Sequence, residues 1–175
     1  MGGTYAAGDQ VLLVDRKRRR YLVTLQPGAE FHSHTGVVGH DDIIGRENGA
    51  AVKSSRGSVF DTFRPTLAEF ILKMPRGAQV IYPKDLGPIL MLADVHPGVR
   101  VFESGVGSGA LSMALLRAGA QVTGYEIRED FAARARTNVA AMLGEEALGD
   151  YQVQIRDAYG GIVETNMDRV ILDLP

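Results

Sequence analysis

Three glycines at alternate positions, Gly105, Gly107 and Gly109, follow an acidic residue, Glu103, that ends a short apolar run. Glycines in such a turn let the backbone bend sharply and approach a ligand with no Cβ in the way. A helical run begins directly afterwards at Ala110, and the N-terminus of a helix presents free N–H groups to the same place. The pattern therefore predicts the nucleotide-binding turn of an α/β unit.

The glycine pattern is compatible with two classes of cofactor. Gly105-x-Gly107-x-x-Ala110 fits the dinucleotide fingerprint in its Ala-ended form, which indicates NAD(P). The third glycine and the carboxylate of Glu103 favour a different ligand, because a carboxylate suits a cationic or amino-bearing group and sits badly beside a pyrophosphate. This spacing resembles the first motif of Rossmann-like S-adenosylmethionine-dependent methyltransferases.

Three further acids, Glu126, Asp157 and Asp173, also stand at the ends of apolar runs. In an open parallel sheet, ligands bind at the carboxyl ends of the strands. Glu126 lies about 20 residues beyond the glycines, where a carboxylate accepts both ribose hydroxyls of an adenosine. Asp157 is placed to accept a hydrogen bond from an adenine amino group. Such an acidic pocket suits a sulfonium cofactor better than NAD.

Hydrophobic patterning predicts the elements that position these acids. We expect four parallel strands that end near the four acids, with helices from Ala110 and from Glu129 to about Met142. The expected fold is α/β: the first four strands of an incomplete Rossmann-like class I methyltransferase sheet, preceded by a small β-rich domain. The expected domains are a β-rich domain over 1–64, a helical linker over 65–97, and the N-terminal half of the cofactor-binding domain over 98–175.

Short β-type runs separated by turns characterise the N-terminal part. Two of them, Gln10–Val14 and Tyr21–Leu25, indicate a hairpin whose tip carries the basic run Arg16–Arg20. That tip is either a solvated turn that protects a strand edge or a phosphate-contacting patch for RNA. The remaining predicted strands are Gly36–Val38, Ile43–Ile44, Ala51–Lys53 and Ser58–Phe60.

Three histidines, His32, His34 and His40, fall within the same part of the chain. His32 and His34 would share one face of a strand, and His40 would supply a third ligand if the group held a metal. No cysteine or carboxylate completes a recognisable metal motif, so we expect the histidines to make structural hydrogen bonds and expect no metal.

Composition limits the broader function classes. The chain has no cysteine, which excludes disulfides and thiolate chemistry. It has no apolar stretch long enough to span a bilayer and no signal peptide pattern, so we expect a cytoplasmic protein. The net charge is −2, yet residues 1–64 carry nine Lys and Arg against seven Asp and Glu. A local basic patch matters more for nucleic acid than the total charge.

Five segments resemble the tRNA (adenine(58)-N1)-methyltransferase family, and together they extend over nearly the whole chain. They are Gly28–Gly45 with its His-Ser-His-Thr-Gly sequence, Gln79–Asp85 with Tyr-Pro-Lys-Asp, Glu103–Leu111, Tyr125–Glu126 and Asp173–Pro175. The glycine motif is shared by methyltransferases at large, whereas the Tyr-Pro-Lys-Asp and His-Ser-His-Thr-Gly segments are specific to this family.

The resemblance implies a tRNA-methylating enzyme, usually a homotetramer, that uses S-adenosylmethionine. It implies that Asp173 is the catalytic carboxylate and also lies at the cofactor. The implied cofactor-binding residues are the loop Gly105, Val106, Gly107, Ser108, Gly109 and Ala110, then Glu126 at the ribose, Asp157 at the adenine, Phe131, Tyr82 beside the pocket, and Glu103. Tyr82 also precedes a predicted helix start at Pro83–Asp85.

The family continues beyond the fourth strand with a Pro-Trp loop and three more strands. We therefore expect this chain to be a piece of a longer enzyme, poorly soluble and inactive alone. Two other functions stay open at this point. One is an NAD(P)-dependent oxidoreductase, and the other is a non-catalytic tRNA-binding subunit of a methyltransferase, although the intact glycines and Asp173 argue against the latter.

Overall fold

The computed structural model describes residues 3–77 and 79–174. It contains two compact units, Met1–Lys73 and Met74–Pro175, each with its own sheet. None of the helices among the described residues has the length and apolar character needed to cross a lipid bilayer. The predicted domain boundaries stay a prediction, and the two helices of the expected linker belong to different units.

The first unit is built from short antiparallel strands. A four-stranded sheet has the order β2-β1-β6-β5, and β3 and β4 form a separate hairpin. The strands and the one helix of this unit are β1 (Gln10–Asp15), β2 (Arg20–Thr24), β3 (Glu30–Ser33), β4 (Gly36–Gly39), β5 (Ala51–Lys53), β6 (Val59–Phe63) and α1 (Leu67–Lys73). The predicted hairpin with a basic tip is confirmed as β1 and β2.

An apolar cluster fills the inside of this unit because alternate strand residues point to one face. Val11 and Leu13 of β1 pack there with Phe60 of β6. The Phe31 ring meets the Phe60 ring edge-on, with centroids 5.9 Å apart, and the Tyr21 ring lies 5.1 Å from Phe31.

The strand predicted at Ile43–Ile44 is wrong. A 3-10 turn occupies His40–Asp42, and the N–H groups of Ile43 and Ile44 both donate to the carbonyl of His40. Ile43 is nevertheless fully buried in the apolar cluster. A pair of apolar residues is satisfied by burial in either conformation, so the apolar doublet alone did not distinguish a turn from a strand.

The second unit is an α/β structure with an all-parallel sheet of order β10-β7-β8-β9. Its helices and strands are α2 (Pro83–Leu92), β7 (Arg100–Ser104), α3 (Ala110–Arg117), β8 (Gln121–Glu126), α4 (Glu129–Leu143), β9 (Tyr151–Ile155) and β10 (Arg169–Leu172). The predicted α/β class with a separate β-rich N-terminal region is confirmed. Because all four strands are parallel, their carboxyl ends meet at one edge of the sheet.

Helix α3 is buried almost all round, as its uniformly apolar sequence requires. Helix α4 is amphipathic and buries the predicted stripe of Phe131, Ala132, Ala135 and Val139. At the outer edge, β10 pairs only with β7 within the described part of the chain, and Val170 and Leu172 stay more than half exposed. The edge of this sheet is therefore apolar.

Candidate functional site

The turn between β7 and α3 uses backbone conformations that only glycine adopts without strain. Gly105, Gly107 and Gly109 have φ values of 87°, 56° and 83°. A Cβ on Gly105 would stand 2.1 Å from the carbonyl oxygen of Asp173. A Cβ on Gly109 would stand 3.2 Å from Ala135 of α4. The glycines therefore allow both the turn itself and the close approach of its neighbours.

Glu126, at the end of β8, is fixed against this turn by backbone donors. One carboxylate oxygen accepts the N–H of Gly107 at 2.8 Å, and the other accepts the N–H of Arg128 at 3.0 Å. The side chain is 7% exposed, so its orientation is set by these two bonds rather than by solvent. A carboxylate held in this way faces a ligand at a defined position.

An open groove of about 340 Å³ lies at the carboxyl edge of the parallel sheet. It brings together six of the residues predicted from the sequence: Gly105, Gly107, Glu126, Phe131, Asp157 and Asp173. Residues from the ends of the strands and from the start of α4 thus line one continuous groove. This is the position at which ligands bind in open α/β sheets.

The other predicted loop residues line a second, much smaller cavity of about 20 Å³. Glu103, Val106, Ser108 and Ala110 line it, and it shares Gly105, Gly107 and Asp173 with the larger groove. A cavity of this size holds about one water molecule. The hydroxyl of Ser108 is buried there without a hydrogen-bond partner among the described residues. A buried polar atom without a partner is costly unless a ligand or water satisfies it.

Glu103 belongs to a buried polar chain. The hydroxyl of Ser112 donates to its carboxyl at 2.7 Å, and the hydroxyl of Tyr151 donates to Ser112 at 3.0 Å. Burial raises the pKa of Glu103 to about 8, and the nearby carboxylates of Asp173 and Glu126 add to the rise. Glu103 is therefore mostly neutral at pH 7, whereas the sequence indicated a charged acid at the ligand.

The remaining predicted acids, Asp157 and Asp173, are exposed and line the groove. Asp157 caps a short turn by accepting the N–H of Tyr159 at 2.9 Å. Asp173 is exposed, and its own N–H donates to the carbonyl of Ser104 at 2.9 Å. The Phe131 ring is covered by the guanidinium of Arg128, 3.8 Å from the ring centroid. These contacts give the groove a polar rim on one side and an aromatic wall on the other.

Some of the predicted residues do not line either cavity. Tyr82 stands just before α2 and is 44% exposed, whereas its neighbours Gln79, Val80 and Ile81 line the small cavity. Gly109 packs against α4. The roles that the resemblance implies for these two residues stay predictions.

Several residues that line the groove were not predicted from the sequence. Gln79 lines both cavities, and Tyr125, Arg128 and Arg156 line the larger one. The hydroxyl of Tyr125 donates to Glu164, which also accepts from Gln154 at 2.7 Å. The loop that carries Glu164 is therefore hydrogen-bonded to β8 and β9. Gln79 and Tyr125 fall within the motif segments already singled out, whereas no pattern in the sequence marked Arg128 or Arg156.

The three histidines contact different partners. His32 lies on β3 and pairs with Glu30 at 3.3 Å, whereas His34 lies in the following turn. His40 accepts the N–H of Gln26 at 3.1 Å. Across residues 3–77 and 79–174, no group of three His, Asp or Glu side chains is arranged to hold a metal ion.

Two family models match the chain. A model described as TrmI-like N-terminal matches residues 3–52, and one described as tRNA methyltransferase complex GCD14 subunit matches residues 61–175. A solved structure described as a SAM-dependent O-methyltransferase from Thermotoga maritima is similar at a TM-score of 0.90 and 33% identity. The match covers 99% of this chain and 65% of the Thermotoga maritima chain. The fold is therefore that of Rossmann-like methyltransferases.

Curated relatives are tRNA methyltransferases. The chain is 38% identical over 167 residues to the tRNA (adenine(58)-N(1))-methyltransferase TrmI of Thermus thermophilus, with 94% of this chain and 65% of the relative covered. It is 33% identical over 190 residues to the tRNA (adenine(57)-N(1)/adenine(58)-N(1))-methyltransferase TrmI of Methanocaldococcus jannaschii, of which it covers 66%. The chain thus spans about two thirds of the length of these relatives.

Proposed function

Because the chain belongs to the tRNA methyltransferase family described by the GCD14 subunit model, we propose that the complete protein methylates N1 of adenine 58 in tRNA with S-adenosylmethionine. The single observation that carries this proposal is the arrangement of Glu126. Its carboxylate is fixed by the N–H groups of Gly107 and Arg128 at the mouth of the sheet groove. That is the place and the chemistry with which an adenosine ribose is recognised.

The residues present fit such a cofactor. The groove of about 340 Å³ offers Glu126 to the ribose and Asp157 to the adenine amino group, and Phe131 lies in the same lining. The unpartnered hydroxyl of Ser108, beside the glycine turn, offers a polar contact to the amino-acid end of the cofactor. When bound, S-adenosylmethionine supplies an electrophilic methyl group on a sulfonium.

Asp173 is the proposed catalytic carboxylate. It lines both cavities and is the last described acid at the carboxyl edge. The N1 lone pair of adenine forms the new N–C bond while the C–S bond breaks, so the base becomes cationic. A carboxylate at Asp173 accepts a hydrogen bond from the adenine amino group, which orients the base and stabilises the growing positive charge. To reach the groove, the adenine leaves the RNA stack.

The proposed partners follow from the same function. The macromolecular substrate is tRNA, the complete protein is a homo-oligomer and specifically a tetramer, and it acts in the cytoplasm without a metal. The Methanocaldococcus jannaschii relative is named for both adenine 57 and adenine 58. Activity assays therefore read both positions.

Calorimetric titration tests the cofactor class directly. We expect the protein to bind S-adenosylhomocysteine and not NAD, because Glu126, Asp157 and Asp173 all line the groove, and carboxylates disfavour a pyrophosphate beside them. Binding of NAD without S-adenosylhomocysteine would replace the methyltransferase by an oxidoreductase. Failure to bind S-adenosylhomocysteine, with tRNA binding retained, would leave the non-catalytic tRNA-binding subunit as the better account.

A further inference from the structure

Three turns of the first unit meet around a second groove, far in sequence from the methyltransferase motifs. The groove has a volume of about 470 Å³ and is lined from the β1–β2 turn, the β3–β4 turn and the β5–β6 turn. Its lining includes Arg16, Lys17 and Arg19 from the first turn and His34 from the second. We call it the basic groove.

Among the residues that line the basic groove, Asp15 supplies the one carboxylate, and this group is already occupied. Asp15 is 9% exposed and accepts the N–H groups of Lys17 and Arg19, both at 2.9 Å. The Arg19 guanidinium pairs with the same carboxylate at 2.6 Å. Although burial alone would raise it, the pKa of Asp15 lies below its usual range because of these bonds. The negative charge of Asp15 therefore shapes the turn and neutralises Arg19.

Arg19 also joins the first turn to the second. Its guanidinium lies 2.7 Å from Nε2 of His34. Since a guanidinium only donates hydrogen bonds, Nε2 of His34 is the acceptor and carries no proton. Arg56 of the third turn donates to the carbonyl of His34 at 3.5 Å. The groove is thus built by contacts between turns.

Three cations of the first turn are accessible to a ligand. Arg16, Lys17 and Arg18 are exposed, and none of them makes a side-chain hydrogen bond or ion pair within the described part of the chain. Arg20, by contrast, is paired with Glu69 at 2.7 Å. Charges that protect the edge of β2 are expected on that strand, whereas Arg16, Lys17 and Arg18 precede it. A groove that three turns close around free cations indicates an anionic ligand instead.

We propose that the basic groove binds backbone phosphates of the tRNA substrate. This inference rests on the proposed function, which makes tRNA the polyanion that the protein must hold. Arg and Lys contact phosphates without reading bases, and Thr35 and Ser58 are further polar residues of the same lining. The basic groove thereby positions the RNA and contributes affinity that falls with salt.

The test compares two double variants that remove equal charge. Arg16→Gln/Lys17→Gln removes two unpaired cations of the basic groove, and Arg46→Gln/Lys53→Gln removes two exposed cations of the same unit that do not line it. Neither pair has a side-chain partner in the described residues, so both variants should fold. Dissociation constants for a tRNA transcript are measured by fluorescence anisotropy at about 50 mM and about 200 mM salt.

We expect the groove variant to bind tRNA about tenfold more weakly at the lower salt. The magnitude of the slope of the log of the dissociation constant against log salt should also decrease by about 2. This is about one for each phosphate that the removed cations neutralise in the wild type. The control variant should stay near the wild type, and both variants should bind S-adenosylhomocysteine normally. Equal weakening in the two variants would overturn the inference, because the effect would then be general electrostatics.

A second arm separates RNA from a free anion. Inorganic phosphate is titrated against the wild type and the groove variant. Loss of phosphate binding with unchanged tRNA affinity would make the basic groove a small-anion site and overturn the inference. If the wild type binds S-adenosylhomocysteine but no tRNA, the proposal that tRNA is the substrate is wrong. If the groove variant binds tRNA normally, only the proposed role of the basic groove is wrong.

Discussion

The hydroxyl of Ser112 donates a hydrogen bond to the carboxyl of Glu103 at 2.7 Å, and both side chains are buried. Among the described residues, the carboxyl of Glu103 makes no other hydrogen bond. Burial therefore raises the pKa of Glu103 to about 8. The acid of the Glu-x-Gly-x-Gly motif is therefore mostly neutral at pH 7.

The raised pKa of Glu103 predicts a pH-dependent stability. The folded protein keeps the Glu103 proton up to about pH 8, whereas the unfolded chain loses it near 4.5. Folding takes up a proton between these values, so the free energy of unfolding falls as pH rises through this window. Glu103→Gln cannot ionise and should flatten the dependence, and urea unfolding between about pH 5 and about pH 9 measures it.

Glu145→Gln is the matched control, since Glu145 is an exposed glutamate of the same unit. Its unfolding curve should keep the wild-type dependence on pH. An unchanged pH dependence in Glu103→Gln would mean that Glu103 is ionised in the folded protein.

Gly105→Ala should damage the site through sterics. Its Cβ would stand 2.1 Å from the carbonyl oxygen of Asp173, at a φ of 87°. We expect a loss of more than about 1 kcal/mol in stability and at least about tenfold in affinity for S-adenosylhomocysteine. Gly149→Ala, where a Cβ meets nothing within 4 Å, should leave affinity unchanged. Wild-type affinity in Gly105→Ala would show that the turn moves freely.

Two neighbouring serines should respond in opposite ways. Ser108→Ala removes a hydroxyl with no partner among the described residues, so stability should stay level while S-adenosylhomocysteine binds about fivefold to tenfold more weakly. Ser112→Ala breaks the bonds to Glu103 and Tyr151 and should cost about 1–3 kcal/mol of stability. Thermal unfolding measures the stability of the two variants, and calorimetry measures their affinity for S-adenosylhomocysteine. Unchanged binding by Ser108→Ala would remove Ser108 from the cofactor site.

Glu126→Gln keeps the shape of the side chain. One of the two backbone N–H groups that donate to the carboxylate would then face an NH₂ group, which cannot accept a hydrogen bond. We expect affinity for S-adenosylhomocysteine and for methylthioadenosine to fall together by about tenfold, because both carry the ribose. Glu129→Gln, an acid that does not line the groove, is the control. A loss confined to S-adenosylhomocysteine would place Glu126 at the amino-acid end.

Much of the fold was predictable because its signals are local. The apolar runs that became β1, β2, β7 and β8, and the stripe on α4, follow from hydrophobic periodicity. The strand predicted at Ile43–Ile44 failed because the apolar cluster accepts Ile43 from a turn as well as from a strand.

The candidate site was predictable where a motif marked it. The glycine turn and Glu126 lie where the spacing placed them, against each other. The neutral state of Glu103 was not predictable, since it follows from complete burial and from the nearby carboxylates of Asp173 and Glu126, which only the folded chain brings together. The contact between Arg19 and His34 likewise joins two turns that sequence alone does not bring together.

Asp173→Ala should separate catalysis from cofactor binding. The side chain lines both cavities, but the proposed role concerns the adenine amino group during methyl transfer. We expect kcat to fall by about a hundredfold or more, with affinity for S-adenosylhomocysteine changed by less than about threefold. Equal losses in both would make Asp173 a binding residue.

Methyl transfer to tRNA tests the central proposal most directly. The complete protein is incubated with S-adenosylmethionine and a tRNA transcript that carries adenine at position 58, beside a transcript with guanine there, and 1-methyladenosine is quantified by mass spectrometry. We expect 1-methyladenosine in the first transcript, none at that position in the second, and strongly reduced product with Asp173→Ala. Equal product from both transcripts, or methyl groups on atoms other than adenine N1, would contradict the proposal.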